Sequence, residues 1–206
     1  RAYFGKEKID TDWMSKNVSE IRSDVFCNDR LINELKSRGV NSNWDLGYVT
    51  VLIALILKTD DPDKALKFAQ NLSENILDEY DNLSRAAAES AGLSCDYTER
   101  NGVLWQGMRD CFQEWFLGDS LFEKQYGREP VNSGKCGLLN NEKPIIPMES
   151  LLELLKQLND SGKRVCTGTG RPYAELITPL KAWGAIKYFA DNGLCNYDHV
   201  AEAERK

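Results

Sequence analysis

Apolar residues recur at helical spacing through most of the first 126 positions, and residues up to about 130 read as mostly helical. In Asn28–Ser37 the apolar positions are Leu31, Ile32 and Leu35, with Gly39 as the stop signal. Asn43–Lys58 opens on an Asn/Ser/Asn cluster and is apolar nearly all round after Leu46, the pattern of a buried helix. A third helix is expected from Asp61-Pro62 through Leu66, Ala69, Leu72 and Ile76. Thr98–Gly102 reads as a loop. Val103–Phe116 then places Leu104, Met108, Cys111, Phe112 and Trp115 on one face. Gly118-Asp119 ends that helix, and Ser120–Tyr126 gives a further short one.

From Gly127 to Pro147 the periodicity disappears, and dense Gly, Pro, Asn and Lys predict linker and turn. Beyond it the pattern becomes α/β. Met148–Leu158 reads as a helix, Arg164–Thr167 as a strand and Tyr173–Trp183 as a helix. Tyr188-Phe189 is expected to form a short strand or turn, and Cys195–Val200 to begin another strand. Such alternation predicts a parallel sheet. Two domains follow: a helical one over residues 1–130 and a partial α/β one over residues 131–206.

Composition narrows the function classes. A chain of 206 residues can hold one large domain or two small ones, and 42% hydrophobic with 28% charged residues is ordinary for a globular protein. A net charge of −6 argues against general binding to nucleic acid or anionic membranes, while leaving room for a local basic pocket. The longest apolar run, Val49–Leu57, is too short to span a bilayer. The polar N-terminal stretch does not read as a secretory leader, so a cytoplasmic location is expected. Six cysteines show no ligand spacing, and Cys166 and Cys111 lie among apolar neighbours; buried free thiols are expected. The chain opens on Arg1 and closes on the charged run Ala201–Lys206, so both ends are expected to be cuts through a longer protein.

The candidate chemistry concentrates in Lys163–Pro172 (KRVCTGTGRP), a short strand running into a Gly-rich turn and a helix whose first turn suits Pro172. A strand end that presents a hydroxyl and backbone N–H groups at a helix N-terminus suits an anion, most often phosphate. The dinucleotide fingerprint fails because its third glycine position is Tyr173, and no G-K-[ST] completes a P-loop. Thr169, the Gly170 N–H and Arg171 remain as anion-binding candidates, although an ordinary tight turn explains the spacing equally well. Phosphohydrolase chemistry also needs paired carboxylates at a strand end, with Mg²⁺ to offset phosphate charge. Asp10-Thr-Asp12 follows no buried strand, and Asp61-Pro-Asp63 sits at a helix start, where capping explains it. His199 is the sole histidine and has no relay partner nearby in sequence, so a structural or exposed role is expected. Arg109 shares a helical stripe with Trp105, Phe112 and Phe116; the aromatics read as core, and Arg109 could reach a phosphate or carboxylate.

The stretch Arg164-Val-Cys-Thr-Gly-Thr-Gly-Arg-Pro172, continued by Glu175-Leu176, Leu180 to Gly184, Tyr188-Phe189 and Asp198-His-Val200, resembles the second motif of haloacid-dehalogenase-superfamily hydrolases. Leu35–Leu46 and Phe112–Gly118 resemble the α-helical cap that one branch inserts after its first motif. The resemblance implies a Rossmann-type parallel sheet with a helical cap, and a phosphatase acting on a small phosphorylated metabolite. It implies that Thr169 and the Gly170 N–H, with Arg171 beside them, hold the phosphoryl group, and that Arg109 contacts substrate from the cap. The aspartate nucleophile, the acid/base aspartate, the third-motif lysine and the Mg²⁺ carboxylates of such enzymes would then lie outside this chain. The chain alone is accordingly expected to be an inactive fragment, binding no metal itself. Open strand edges would favour pairing into a homodimer. Dehalogenase or phosphomutase chemistry stays open. So does a non-catalytic helical interaction module with a degenerate α/β half and, more weakly, a nucleotide-binding fold.

Overall fold

A computed structural model describes residues 11–204, and the chain divides into two compact units, Arg1–Gln113 and Glu114–Lys206. The division falls inside a helix, earlier in the chain than the compositional break after Tyr126.

The first unit is helical. Its elements are α1 (Thr11–Phe26), α2 (Arg30–Ser37), α3 (Asn43–Leu57), α4 (Pro62–Ala69), α5 (Tyr80–Ala91), the single turn α6 (Cys95–Thr98) and the first part of α7 (Val103–Leu117). α3 starts where Ser42 accepts a hydrogen bond from the Asp45 N–H, and it stops at Lys58, which adopts the left-handed conformation with φ 51°. It is apolar on most sides because it is the centre of the unit: Tyr48, Val49, Leu52 and Ile53 are fully buried. Leu31 and Leu35 of α2, and Leu83 and Ala87 of α5, close over it. Each large apolar side chain so buried contributes about 1.5–3 kcal/mol.

Polar ties lock the helices across this core. Tyr48 Oη donates to the Thr98 carbonyl at 2.6 Å, and the Thr98 hydroxyl donates to the Ser84 carbonyl at 2.9 Å, joining α3, α5 and α6. The buried Asp45 carboxylate accepts from Trp105 Nε1 at 2.7 Å and from Arg100 at 3.1 and 3.3 Å. Arg100 also lies over the Tyr80 ring at 5.4 Å. Burial, followed by the nearby Asp45 charge, pushes the Tyr80 phenol up to about 12.

Two sequence expectations change here. The third helix ends at Ala69; Ile76 is buried, but at the start of a separate 3-10 turn, Ile76–Glu79, capped by the Asn75 side chain. The apolar period continued past the break because Leu72 and Ile76 still pack on the same core. Cys27 is buried as expected, whereas Cys95, Cys111, Cys136, Cys166 and Cys195 are exposed.

The second unit holds the end of α7, α8 (Asp119–Tyr126), α9 (Met148–Asp160), β1 (Val165–Gly168), α10 (Tyr173–Ala182), β2 (Phe189–Cys195) and α11 (Tyr197–Glu204). β1 and β2 pair in parallel, with Val165 opposite Phe189, Thr167 opposite Leu194 and Gly168 opposite Cys195. The register slips because β2 bulges at Asn192 (φ 58°) and Gly193, where a Cβ on Gly193 would lie 2.8 Å from the Ala190 carbonyl. The fold class is thus α/β and mostly helical, with a small parallel sheet. Cys195–Val200 is not a strand: β2 ends at Cys195, and Asn196 then caps α11.

The stretch expected to be linker and turn is irregular apart from a 3-10 turn at Leu139–Asn141 and mostly exposed, but its first half is tied down by carboxylates. The buried Glu114 carboxylate accepts from the Val131 N–H at 2.7 Å and from Lys135 Nζ at 2.9 Å, while Asp119 accepts from the Gly134 and Lys135 N–H groups. Lys135 also donates to the Asn132 carbonyl and lies over the Trp115 ring. Gly118 and Gly137 cross with φ 77° and 84°, and a Cβ on Gly137 would lie 2.4 Å from the Leu117 carbonyl oxygen. Among the described residues no helix is long and apolar enough to cross a membrane.

Candidate phosphate-binding turn

The turn between β1 and α10 is positioned by the parallel ladder. Past the Gly168–Cys195 pair, the Thr169 N–H donates to the Cys195 carbonyl at 3.0 Å, so β2 holds the end of β1 in place. The chain then reverses. The Arg171 N–H donates to Thr169 Oγ1 at 3.2 Å, a side-chain turn that uses one of the hydroxyl's lone pairs. Pro172 follows, buried, and α10 begins at Tyr173.

This accounts for each N–H in the turn. The Thr169, Arg171 and Tyr173 N–H groups all have acceptors, the last being Asp198 Oδ2 at 3.0 Å. Pro172 has none to offer. The exposed Gly170 N–H and the Thr169 hydroxyl proton find no protein acceptor among the described residues. Two adjacent donors at the carboxyl end of a parallel strand, beside a helix N-terminus, can hold one anionic oxygen each.

Arg171 belongs to the turn through its backbone, while its side chain is engaged elsewhere. Both terminal guanidinium nitrogens bind Glu142, at 2.7 and 2.8 Å. That hydrogen bonding, with the charges of Glu142 and Glu175, holds the guanidinium above its ordinary pKa. The pair forms part of a cleft of about 480 Å³, which Ile145, Ile146, Leu151 and Trp183 also line.

The remaining sequence candidates separate. Arg109 lies in the first unit, bonded to Asp110 at 2.8 and 3.0 Å and over the Trp105 ring at 5.5 Å, so it carries its own counter-ion. Asp61 caps α4 by accepting from the Asp63 and Lys64 N–H groups, and Asp63 pairs with Arg30 at 3.0 Å. Asp12 lies in the first turn of α1, and Asp10 lies outside the described residues. His199 has a structural role: its Nδ1 accepts from the Asn196 N–H at 3.2 Å while Asn196 Oδ1 accepts from the Asp198 N–H at 2.9 Å. This is a capping box with imidazole in place of the usual carboxylate.

Glu142, which neutralises a cation at the turn, gave no local signal, and Asp198 entered only through the resemblance, with no local sign of its bond to the Tyr173 N–H. They act across 29 and 25 residues of sequence. The Asn196–His199 spacing at the end of a strand was the available cue, since Asn is a favoured N-cap.

By structure, the chain matches an X-ray structure of a Northeast Structural Genomics Consortium target, with a TM-score of 0.78 and 25% identity over 97% of this chain. The chain spans 62% of that protein's length. No family model matches the chain, and no curated protein matches it either.

Proposed function

We propose that residues 1–206 belong to a phosphomonoester hydrolase of the haloacid-dehalogenase type, with the Thr169–Gly170 turn holding the phosphoryl group and the helical unit serving as cap. The observation that carries this reading is the state of Thr169. Its oxygen already accepts from the Arg171 N–H, which leaves its proton available to an outside acceptor, next to the exposed Gly170 N–H. A hydroxyl whose oxygen is held at this place can donate to a phosphoryl oxygen. The turn binds and orients; the attacking aspartate is assigned to sequence outside residues 1–206, and the chain by itself is expected to be inactive.

In such an enzyme Mg²⁺ would offset the phosphoryl charge. Among the described residues no three His, Cys, Asp or Glu side chains gather so as to hold a metal ion. These residues do not fit a metal site, and no step is assigned to one.

Inorganic phosphate, titrated against the chain and followed by amide NMR, tests the reading. Binding should shift the Gly170 amide, and Thr169→Ala should weaken it at least about tenfold, the worth of one hydrogen bond to a charged group. Equal affinity of the variant rejects the assignment.

A second reading rests on a different observation. The Tyr173 N–H is already occupied by Asp198, and Arg171 by Glu142, so the turn is largely satisfied by its own chain. A non-catalytic α/β half would look like this, and it predicts no phosphate-induced shift at Gly170.

A further inference from the structure

The cleft beside the turn has a composition that the phosphate reading leaves unexplained. Its walls are apolar at Ile145, Ile146, Leu151 and Trp183, and Arg171 closes one side. Ile145 is 103% exposed and Ile146 44%, consecutive branched apolar side chains held in water at the rim. Leaving them there forgoes burial energy that a bound apolar group would recover. The cleft has a volume of about 480 Å³ and opens broadly to solvent, so a small ligand would be covered on one side only.

The charges select a class of occupant. Arg171 is neutralised by Glu142, so it offers a flat guanidinium face of the kind that stacks on aromatic rings. Lys143, also in the lining, forms no ion pair among the described residues and keeps its positive charge at the exposed rim. Apolar walls, a guanidinium plane and one uncompensated ammonium suit an anion with an aromatic or branched-alkyl body. They suit a sugar less well, because its hydroxyl groups would face the apolar side chains of Ile145, Ile146, Leu151 and Trp183.

Resting on the reading of the turn given above, we infer that this cleft receives the organic part of the ester whose phosphoryl group the Thr169–Gly170 turn holds. The substrate class is then an aryl or branched-alkyl monophosphate. Arg171 joins the two sites, by its backbone at the turn and its side chain in the cleft wall.

The test compares dissociation constants of the chain for phenyl phosphate, glycerol 2-phosphate and inorganic phosphate, read by calorimetry. Phenyl phosphate is expected to bind at least about tenfold tighter than the other two. The double variant Ile145→Ser/Ile146→Ser, at exposed positions where folding is preserved, should remove that preference and leave inorganic phosphate binding unchanged. Thr169→Ala should weaken all three ligands alike and keep the preference. Equal binding of phenyl phosphate and glycerol 2-phosphate, or a preference that survives the double variant, overturns the inference while the turn stands. Phenyl phosphate binding that depends on Ile145 and Ile146 but ignores Thr169→Ala overturns the link between cleft and turn, and inorganic phosphate binding that also ignores Thr169→Ala overturns the turn's phosphoryl role.

Discussion

At the residue scale, the chemistry around the turn is decided by which donors the chain has already used. Arg171 illustrates this most clearly: a cation next to a phosphate turn invites a substrate-binding role, yet both of its terminal nitrogens are on Glu142. If the turn holds phosphate as proposed, Glu142 would act as a brake on anion binding. Glu142→Gln would remove the negative charge while keeping one acceptor for the guanidinium. Phosphate affinity should rise severalfold at low salt, with the gain shrinking as ionic strength increases, measured by calorimetry over a salt series. A fall in affinity would show that the pair holds the turn in its binding shape.

At the element scale, two helices begin side by side and cap one another. Asp198 of α11 accepts the first N–H of α10, and the Tyr197 N–H donates back to the Arg171 carbonyl at 3.0 Å. Asn196 completes the start of α11. Asn196→Ala should cost about 1–2 kcal/mol by denaturant unfolding, the usual worth of an N-cap. It should also broaden the Gly170 and Tyr173 amide resonances as α11 frays. Unchanged stability would mean that the packed β2 carries the junction alone.

Legibility in sequence followed the strength of local signals at this same scale. α3, α7, α9, β1 and α10 were readable because their apolar period or flanking Gly and Pro spoke for themselves. β2 was touched only at its two ends, Phe189 and Cys195, since Asn192-Gly193 interrupts its apolar positions with a bulge that only the partner strand explains. α1 and α5 fell within a stretch read as helical but were not placed. α5 is rich in alanine, whose shallow side chains mark a buried face faintly. At the site, Thr169 and Gly170 could be picked out because they are contiguous, while Glu142 and Asp198 reach the turn from far along the chain.

At the scale of the whole molecule, the second unit holds a charge pair with both partners buried, whereas Arg100, the partner of Asp45 in the first unit, is 46% exposed. Glu114 and Lys135 are 3% and 5% exposed, and they clamp the loop between α8 and α9. Burial alone would raise the Glu114 carboxyl, but the Lys135 ammonium and the Val131 and Asn132 N–H groups outweigh it and hold the pKa below the ordinary value. A group with a depressed folded pKa contributes its stability above the unfolded value, about 4.3 for Glu, and loses it as pH falls through the folded one. Glu114→Gln leaves Lys135 without its counter-ion, costing about 3–5 kcal/mol near neutral pH. In thermal melts the gap between the wild type and this variant should therefore narrow as pH drops below about 4. A gap that is constant down to pH 2 would mean that the carboxyl acts as a hydrogen-bonded group indifferent to its charge.

The capping box at the head of α11 makes the protein its own spectroscopic probe. The sequence contains a single histidine, and its Nδ1 accepts a backbone hydrogen bond. Uniform ¹⁵N labelling thus yields one imidazole spin system, one residue from the carboxylate that holds the first N–H of α10. A ligand arriving at the turn and pulling on Asp198 would be recorded in that ring's nitrogen shifts, with no tag or added fluorophore.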